Sequence, residues 1–191
     1  MLKLPRTIRL DPSDTFVFER AAAPGEWAVS GTFVFWDQDP ATLGPKARVA
    51  LRSGFLGIDS LGWSTLAIVT EATEAEREAV VERLAAQLLK KFGAPDLAAA
   101  RSAAEEEVAF AASLCDHPPQ TLLAVQRSVE DGEIRERFRT LKPRENAGDA
   151  DRLHANAPAF TFHEVEGDDE PAEEVDLPGL IKTDRMKTDR S

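Results

Sequence analysis

Over roughly the first 70 residues apolar and polar positions alternate in short runs, and a period of two predicts strands. Thr7-Ile8-Arg9-Leu10 is the first such run, followed by the turn chemistry of Asp11-Pro12-Ser13-Asp14. Thr15-Phe16-Val17-Phe18-Glu19 is β-branched and aromatic, as strands prefer. After the turn Ala23-Pro24-Gly25-Glu26, the stretch from Trp27 to Trp36 is the longest strand expected. Thr15-Phe16-Val17-Phe18 recurs as Thr32-Phe33-Val34-Phe35, which suggests two similar strands of one meander. A loop from Asp37 to about Pro45 precedes a fourth strand, Arg48 to Arg52. A glycine-punctuated loop from Gly54 to Gly62 leads into a fifth, Trp63 to Thr70.

The period then changes to 3.6. Thr73 with Glu76 makes a capping box, in which each side chain satisfies the other residue's free N–H. Val80, Val81, Leu84, Leu88 and Phe92 recur on one face, and Gly93 and Pro95 stop the helix. A second helix, from about Asp96 to Cys115, carries a narrow stripe of Leu97, Ala104, Val108, Ala111 and Cys115. Two runs, Thr121 to Val129 and Ile134 to Leu141, flank Asp131-Gly132 and predict a β-hairpin. That turn sets Val129 opposite Ile134 and Val125 opposite Phe138 on the buried face. On the other face Ser128, Gln126 and Ala124 meet Arg135, Arg137 and Arg139, so three arginines form an exposed stripe.

These elements predict an α+β fold: a mostly antiparallel sheet of about six or seven strands with an α-helical hairpin packed on one face. Residues 1–143 form the domain. Residues 144–191 form a largely irregular acidic tail, broken by apolar islands at Phe160-Thr161-Phe162-His163-Glu164-Val165 and at Val175 to Ile181, which contains Leu177-Pro178-Gly179-Leu180.

Charge narrows the partners. The 191 residues carry 23 Lys+Arg and 34 Asp+Glu, a net charge of -11. Residues 144–191 hold 13 acids against 6 bases, so a quarter of the chain supplies most of the excess. Such a balance repels phosphate backbones and anionic lipid, so nucleic acid and membrane are not expected partners. The lone Cys115 permits no internal disulfide and, with no apolar leader at the start, fits a cytoplasmic protein.

Candidate chemistry is sparse. Cys115-Asp116-His117 is no catalytic pair, because a helix C-terminus and an adjacent acid both disfavour the thiolate. His117, His154, His163, Asp37 and Asp39 match no zinc or calcium spacing, and no metal or other cofactor is expected. The glycine loop lacks Gly-Lys-Ser/Thr and precedes a strand, so it is no phosphate loop. It does place Phe55, Asp59, Ser60, Trp63 and Ser64 near Trp36 and Asp37 in an arrangement that could wall a small-molecule cleft. Aromatic core packing explains the same residues.

The arginine stripe suits carboxylates, which guanidinium forks bind bidentately. The acidic tail would dock across Arg135, Arg137 and Arg139 and compete there with an acidic partner. Phe160 and Phe162 alternate with polar residues, as in a strand that adds to a sheet edge of this protein or another. Leu177 and Leu180 offer a further apolar contact.

Gly54-Phe55-Leu56-Gly57, Leu61-Gly62-Trp63-Ser64-Thr65-Leu66 and the upstream Phe33-Val34-Phe35-Trp36 resemble an uncharacterised bacterial family, a domain of unknown function common in alphaproteobacteria. The resemblance spans residues 1–142, or roughly that. It implies a loose association with gene neighbourhoods of molybdenum-dependent, formate-dehydrogenase-type enzymes and their accessory factors. It implies no catalytic residue. Two functions follow. One is a non-catalytic accessory or adaptor protein acting through protein–protein contacts, with a redox-enzyme complex as its setting. The other is a small-molecule-binding domain or enzyme that uses an aromatic-lined cleft near Trp36 and Trp63.

Overall fold

A computed structural model describes residues 1–143 and the backbone of residues 160–162. The side chains of residues 142, 143 and 160–162 lie outside that description. The main sheet is antiparallel and has five strands: β1 (Lys3–Ile8), β5 (Leu66–Glu71), β6 (Leu122–Glu130), β7 (Glu133–Pro143) and β8 (Phe160–Phe162), in that spatial order. A second antiparallel sheet orders β2 (Ala28–Val29), β3 (Phe55–Gly57) and β4 (Trp63–Ser64) side by side. The helices are α1 (Asp14–Val17), α2 (Pro45–Ser53), α3 (Glu74–Lys91) and α4 (Leu97–Ser113). The fold is α+β, with antiparallel pairing throughout both sheets.

The second half follows the sequence pattern closely. The Thr73 hydroxyl accepts from the Glu76 N–H at 3.2 Å, and the Glu76 carboxylate accepts from the Thr73 N–H at 2.8 Å, closing the capping box of α3. Asp96 caps α4 by accepting from the Ala99 N–H. Val80, Val81, Leu84 and Leu88 of α3 are buried in one cluster with Ala100, Ala104, Val108 and Ala111 of α4. Alanine at the contact lets the two helices approach closely, and each large aliphatic buried there contributes ~1.5–3 kcal/mol. Arg101 of α4 pairs with Glu78 and Glu82 of α3 and with Glu105 on its own helix. Phe92, expected on the buried stripe, instead sits at the helix end 37% exposed.

In the β6–β7 hairpin Val129 pairs with Ile134, Val125 with Phe138, and Ser128, Gln126 and Ala124 with Arg135, Arg137 and Arg139, as the turn dictates. Asp131 and Gly132 both have positive φ, at 52° and 83°, as a two-residue type I′ turn requires. Val129, however, is 42% exposed, because the hairpin tip projects beyond the core.

The first half departs from the alternation. Thr15-Phe16-Val17-Phe18, expected as a strand, begins as the single turn α1. Asp11 accepts from the Ser13 N–H, and the Thr15 and Val17 N–H groups reach back to Pro12 and Ser13, so local bonds wind the segment before any cross-strand partner is met. Its repeat, Thr32-Phe33-Val34-Phe35, is likewise one 3₁₀ turn. Gly31 at φ 78° interrupts the expected long strand after Val29. In both copies the last phenylalanine is buried, Phe18 at 1% and Phe35 at 4% exposed. The expected strand from Arg48 to Arg52 is the helix α2, with Pro45 in its first turn. Ala47, Ala50 and Leu51 recur at helical spacing and pack on the core, so period 3.6 wins over a short β-like run.

The larger core cluster joins α2, α3, α4 and the three-stranded sheet, through Leu51, Leu56, Ile58 and Trp63. A smaller one, with Ala28, Phe55, Ala67, Val69, Leu123 and Val125, joins the two sheets. No described helix is long and apolar enough to cross a membrane.

Candidate functional site

The residues expected to wall a cleft take separate places. Phe55 pairs with Ser64, and Leu56 with Trp63, across β3 and β4. Phe55 is 0% exposed and belongs to the cluster between the sheets, whereas Trp63 belongs to the helix-side cluster. Trp63 stacks on Phe35 at 5.3 Å, and Cβ atoms at Gly31 and Gly54 would press into its ring. Trp36 has no such cover and is 70% exposed.

The polar members are held by local bonds. Glu26 is buried and anchors the glycine loop: one carboxylate oxygen accepts from the Asp59 and Ser60 N–H groups at 2.8 Å each, the other from the Ala23 N–H and the Ser60 hydroxyl. Gly57 is required beside it, since a Cβ there would lie 2.4 Å from the Glu26 carboxyl carbon. The exposed Asp59 side chain meets Arg83 at 3.4 Å. The Ser64 hydroxyl is buried within reach of the Leu66 and Ile8 carbonyls and of Asp14, which also accepts from the Thr65 hydroxyl at 2.6 Å. Asp37 is exposed beside Trp36. A cavity of about 150 Å³ is lined by Ile8, Leu10, Asp11, Ser13, Asp14, Thr65 and Leu66, none of them aromatic. Pockets that hold drug-sized ligands run to ~300–1,000 Å³.

Cys115 is 1% exposed, and burial pushes its thiol up to about 12. The His117 carbonyl accepts from the Lys3 ammonium at 2.6 Å. His154, His163, Leu177 and Leu180 lie outside the described residues.

A buried polar junction stands where the sequence pattern suggested only apolar contacts. On the inward face of the hairpin, between Val125 and Val129, Arg127 pairs with Glu136. The Arg127 side chain is 0% exposed, and its Nε donates to the Glu136 carboxylate at 2.6 Å. One terminal nitrogen donates to the Leu51 and Gly54 carbonyls at the end of α2, and the other to the Ser30 carbonyl and hydroxyl. The same Glu136 oxygen accepts from the Ser30 and Thr32 hydroxyls. Arg127 thus binds the helix terminus, the turn after β2 and the hairpin together. Burial presses its pKa down, with Glu136 opposing. Glu107 of α4 faces this pair; burial first, and then Glu136, raise its carboxyl to about 7, and its Oε2 is buried with no hydrogen bond. The signal was present in the sequence: an arginine on an apolar face, directly across from a glutamate.

On the outward face Arg135, Arg137 and Arg139 are all exposed. Arg135 meets Glu130 at 3.0 Å. At the far end of β7, Leu141, Lys142 and Pro143 pair with Phe162, Thr161 and Phe160, so residues 160–162 of the first apolar island add a strand to this protein's own sheet.

The aromatic surface lies elsewhere. Phe33 touches both Trp36 and Phe92 edge-on, at ring separations of 6.5 and 5.2 Å. The 3₁₀ turn and the end of α3 therefore present three aromatic rings together, Trp36 the most exposed.

No curated protein and no solved structure matches the chain. A family profile does match, over residues 1–158, and the chain therefore belongs to the family of unknown function DUF6505.

Proposed function

We propose that the protein is a non-catalytic accessory protein that docks onto another protein, with Trp36 as its contact anchor. The observation carrying this proposal is a tryptophan 70% exposed beside Phe33 and Phe92, in a chain whose other two tryptophans are at most 9% exposed. Exposed aromatic groups cost solubility, and tryptophan is prominent among residues that dominate binding energy at interfaces. Arg135, Arg137 and Arg139 form a basic strip on the same domain, suited to an acidic partner, and Phe160, Phe162, Leu177 and Leu180 are further contacts. The family resemblance directs the search for the partner toward a molybdenum-dependent redox enzyme or its maturation factors in the cytoplasm of a bacterium. A small-molecule site walled by Trp36 and Trp63 draws less support, because Trp63 fills the core and Trp36 faces solvent.

The test is capture from the native cell with the full chain beside Trp36→Ala, followed by titration of any retained protein in purified form. A partner held by the parent and lost by the variant, at equal thermal stability, supports docking. Equal capture by both removes Trp36 from the contact. No partner, with a small molecule carried through purification, overturns the proposal in favour of ligand binding.

A further inference from the structure

The β1–β5 ladder ends at the pair Ile8–Leu66, and the chain then turns through residues 9–13 into α1. The cavity of about 150 Å³ lies at that end, walled by Ile8 and Leu10, by Asp11, Ser13 and Asp14, and by Thr65 and Leu66. Asp14 is only 5% exposed. Its Oδ1 accepts from the Thr65 hydroxyl at 2.6 Å. Its Oδ2 meets no donor closer than 3.3 Å among the described residues. The Thr65 N–H at 3.3 Å is shared with Oδ1, and the Ser64 hydroxyl has its single proton drawn to the Leu66 carbonyl at 2.8 Å. Asp14 makes no ion pair with a described residue.

Glu26 shows what neutral donors must supply to a buried carboxylate. It too lacks a cation among the described residues, and four N–H and O–H donors reach its oxygens at 2.8 Å or less. Asp14 has one donor that close. A buried carboxylate so thinly covered is costly unless a cation completes it. Three of the seven lining residues, Ile8, Leu10 and Leu66, are aliphatic. A divalent metal takes about six or more oxygens, which such walls do not offer. An ammonium group on a carbon chain uses both kinds of wall: its N–H groups donate to Oδ2, and its carbons lie against the aliphatic side chains. The volume, about that of five waters, suits a nitrogen with a chain of about four carbons. Exposed Asp11, also in the lining, adds negative charge and disfavours anions.

We propose that this cavity binds a primary alkylammonium group, with Asp14 as its counter-ion and Ile8, Leu10 and Leu66 against the carbon chain. The group belongs either to a free small amine or to a lysine side chain of another protein. Leu10, Phe16 and Val17 leave apolar surface exposed on the same loop and turn, where a protein carrying that lysine would rest. The site shares no residue with the Trp36 surface, so this inference does not depend on docking there.

Amide NMR shifts of the full chain during titration with butylammonium chloride, at constant ionic strength, test it. The amides of Ile8, Asp14, Thr65 and Leu66 are expected to shift together with a Kd of about 1 mM. Butanol, the same chain without the charge, is expected to leave them in place. Asp14→Asn, whose folding the same spectra report, should weaken binding about tenfold or more. Leu10→Ala, at an exposed position, should keep the fold and weaken binding roughly threefold, so the test stands even where Asp14→Asn does not fold. Nα-acetyl-lysine amide and putrescine separate the sources: tighter binding of the first assigns the group to a protein lysine, of the second to a free diamine. No shift at about ten times the expected Kd, equal shifts with butanol, undiminished binding by a folded Asp14→Asn, or displacement of butylammonium by a lower concentration of magnesium or calcium chloride would overturn the proposal.

Discussion

Arg127→Met takes a buried cation out of the place where α2, the turn after β2 and the hairpin meet. Five bonds from the guanidinium are 3.1 Å or shorter, to the Leu51, Gly54 and Ser30 carbonyls, the Ser30 hydroxyl and the Glu136 carboxylate. Hydrogen bonds involving a charged group contribute about 1.5–3 kcal/mol each, so their gross loss is roughly 8–15 kcal/mol. Part is offset, since the variant no longer desolvates a cation, at a cost of several kcal/mol. The net expectation is the ~3–5 kcal/mol typical of breaking a buried pair from one side. Glu136 is left behind with its side chain only 17% exposed, and most of the loss lies there. In a domain stabilised by ~5–15 kcal/mol this is a large fraction, equivalent to a fall in Tm of roughly 6–20 °C. Urea unfolding followed by tryptophan fluorescence measures it, with an unchanged m-value confirming that the native state is otherwise intact. Adding Glu136→Leu to Arg127→Met should recover part of the loss, because the orphaned charge goes with it. A single-variant loss under about 1 kcal/mol, or a double variant losing the sum of the two singles, would refute the account of the junction.

Glu107 gives a pH dependence. Its carboxyl is raised from 4.5 to about 7, so the folded state holds the proton more tightly than the unfolded state. Stability from this group is complete below the unfolded value and declines as pH rises through about 7, by ~1.4 kcal/mol per unit of separation. Glu107→Gln should therefore match the parent near pH 4.5 and exceed it at pH 8, as measured by urea midpoints across that range. Cys115, buried and pushed up to about 12, should resist thiol reagents at pH 8 in the native protein and react at once in denaturant. Gly31→Ala places a side chain at φ 78°, with its Cβ 2.5 Å from that of Leu56. The conformational and packing costs together predict a loss of roughly 2–5 kcal/mol in thermal or urea unfolding.

Legibility in the sequence followed the strength of the local signals. The capping box at Thr73, the Asp131-Gly132 turn and the long apolar stripe of α3 each specify one geometry, and the structure has all three. The first 70 residues were harder because four- or five-residue aromatic runs suit either a strand or a helical turn. Thr15 to Phe18 and Thr32 to Phe35 became turns because Ser13 and Gly31 set the preceding backbone, not because of their own composition. Pro45 and the spacing of Ala47, Ala50 and Leu51 were the overlooked marks of α2. At the site, hairpin register places the arginine stripe where the structure has it, and the same register sets Arg127 opposite Glu136, a pair that its apolar neighbours mask in the sequence pattern. Trp36 and Trp63 could not be told apart from sequence, since exposure depends on what packs above each ring.

The most direct test of docking is a calorimetric titration of the purified partner with the parent protein, Trp36→Ala and Phe92→Ala. Loss of an anchor contributing ~2 kcal/mol weakens binding about 30-fold, and the account predicts at least that for Trp36→Ala, with a smaller loss for Phe92→Ala. Unchanged affinity in both variants would contradict it and place the contact on another face of the domain.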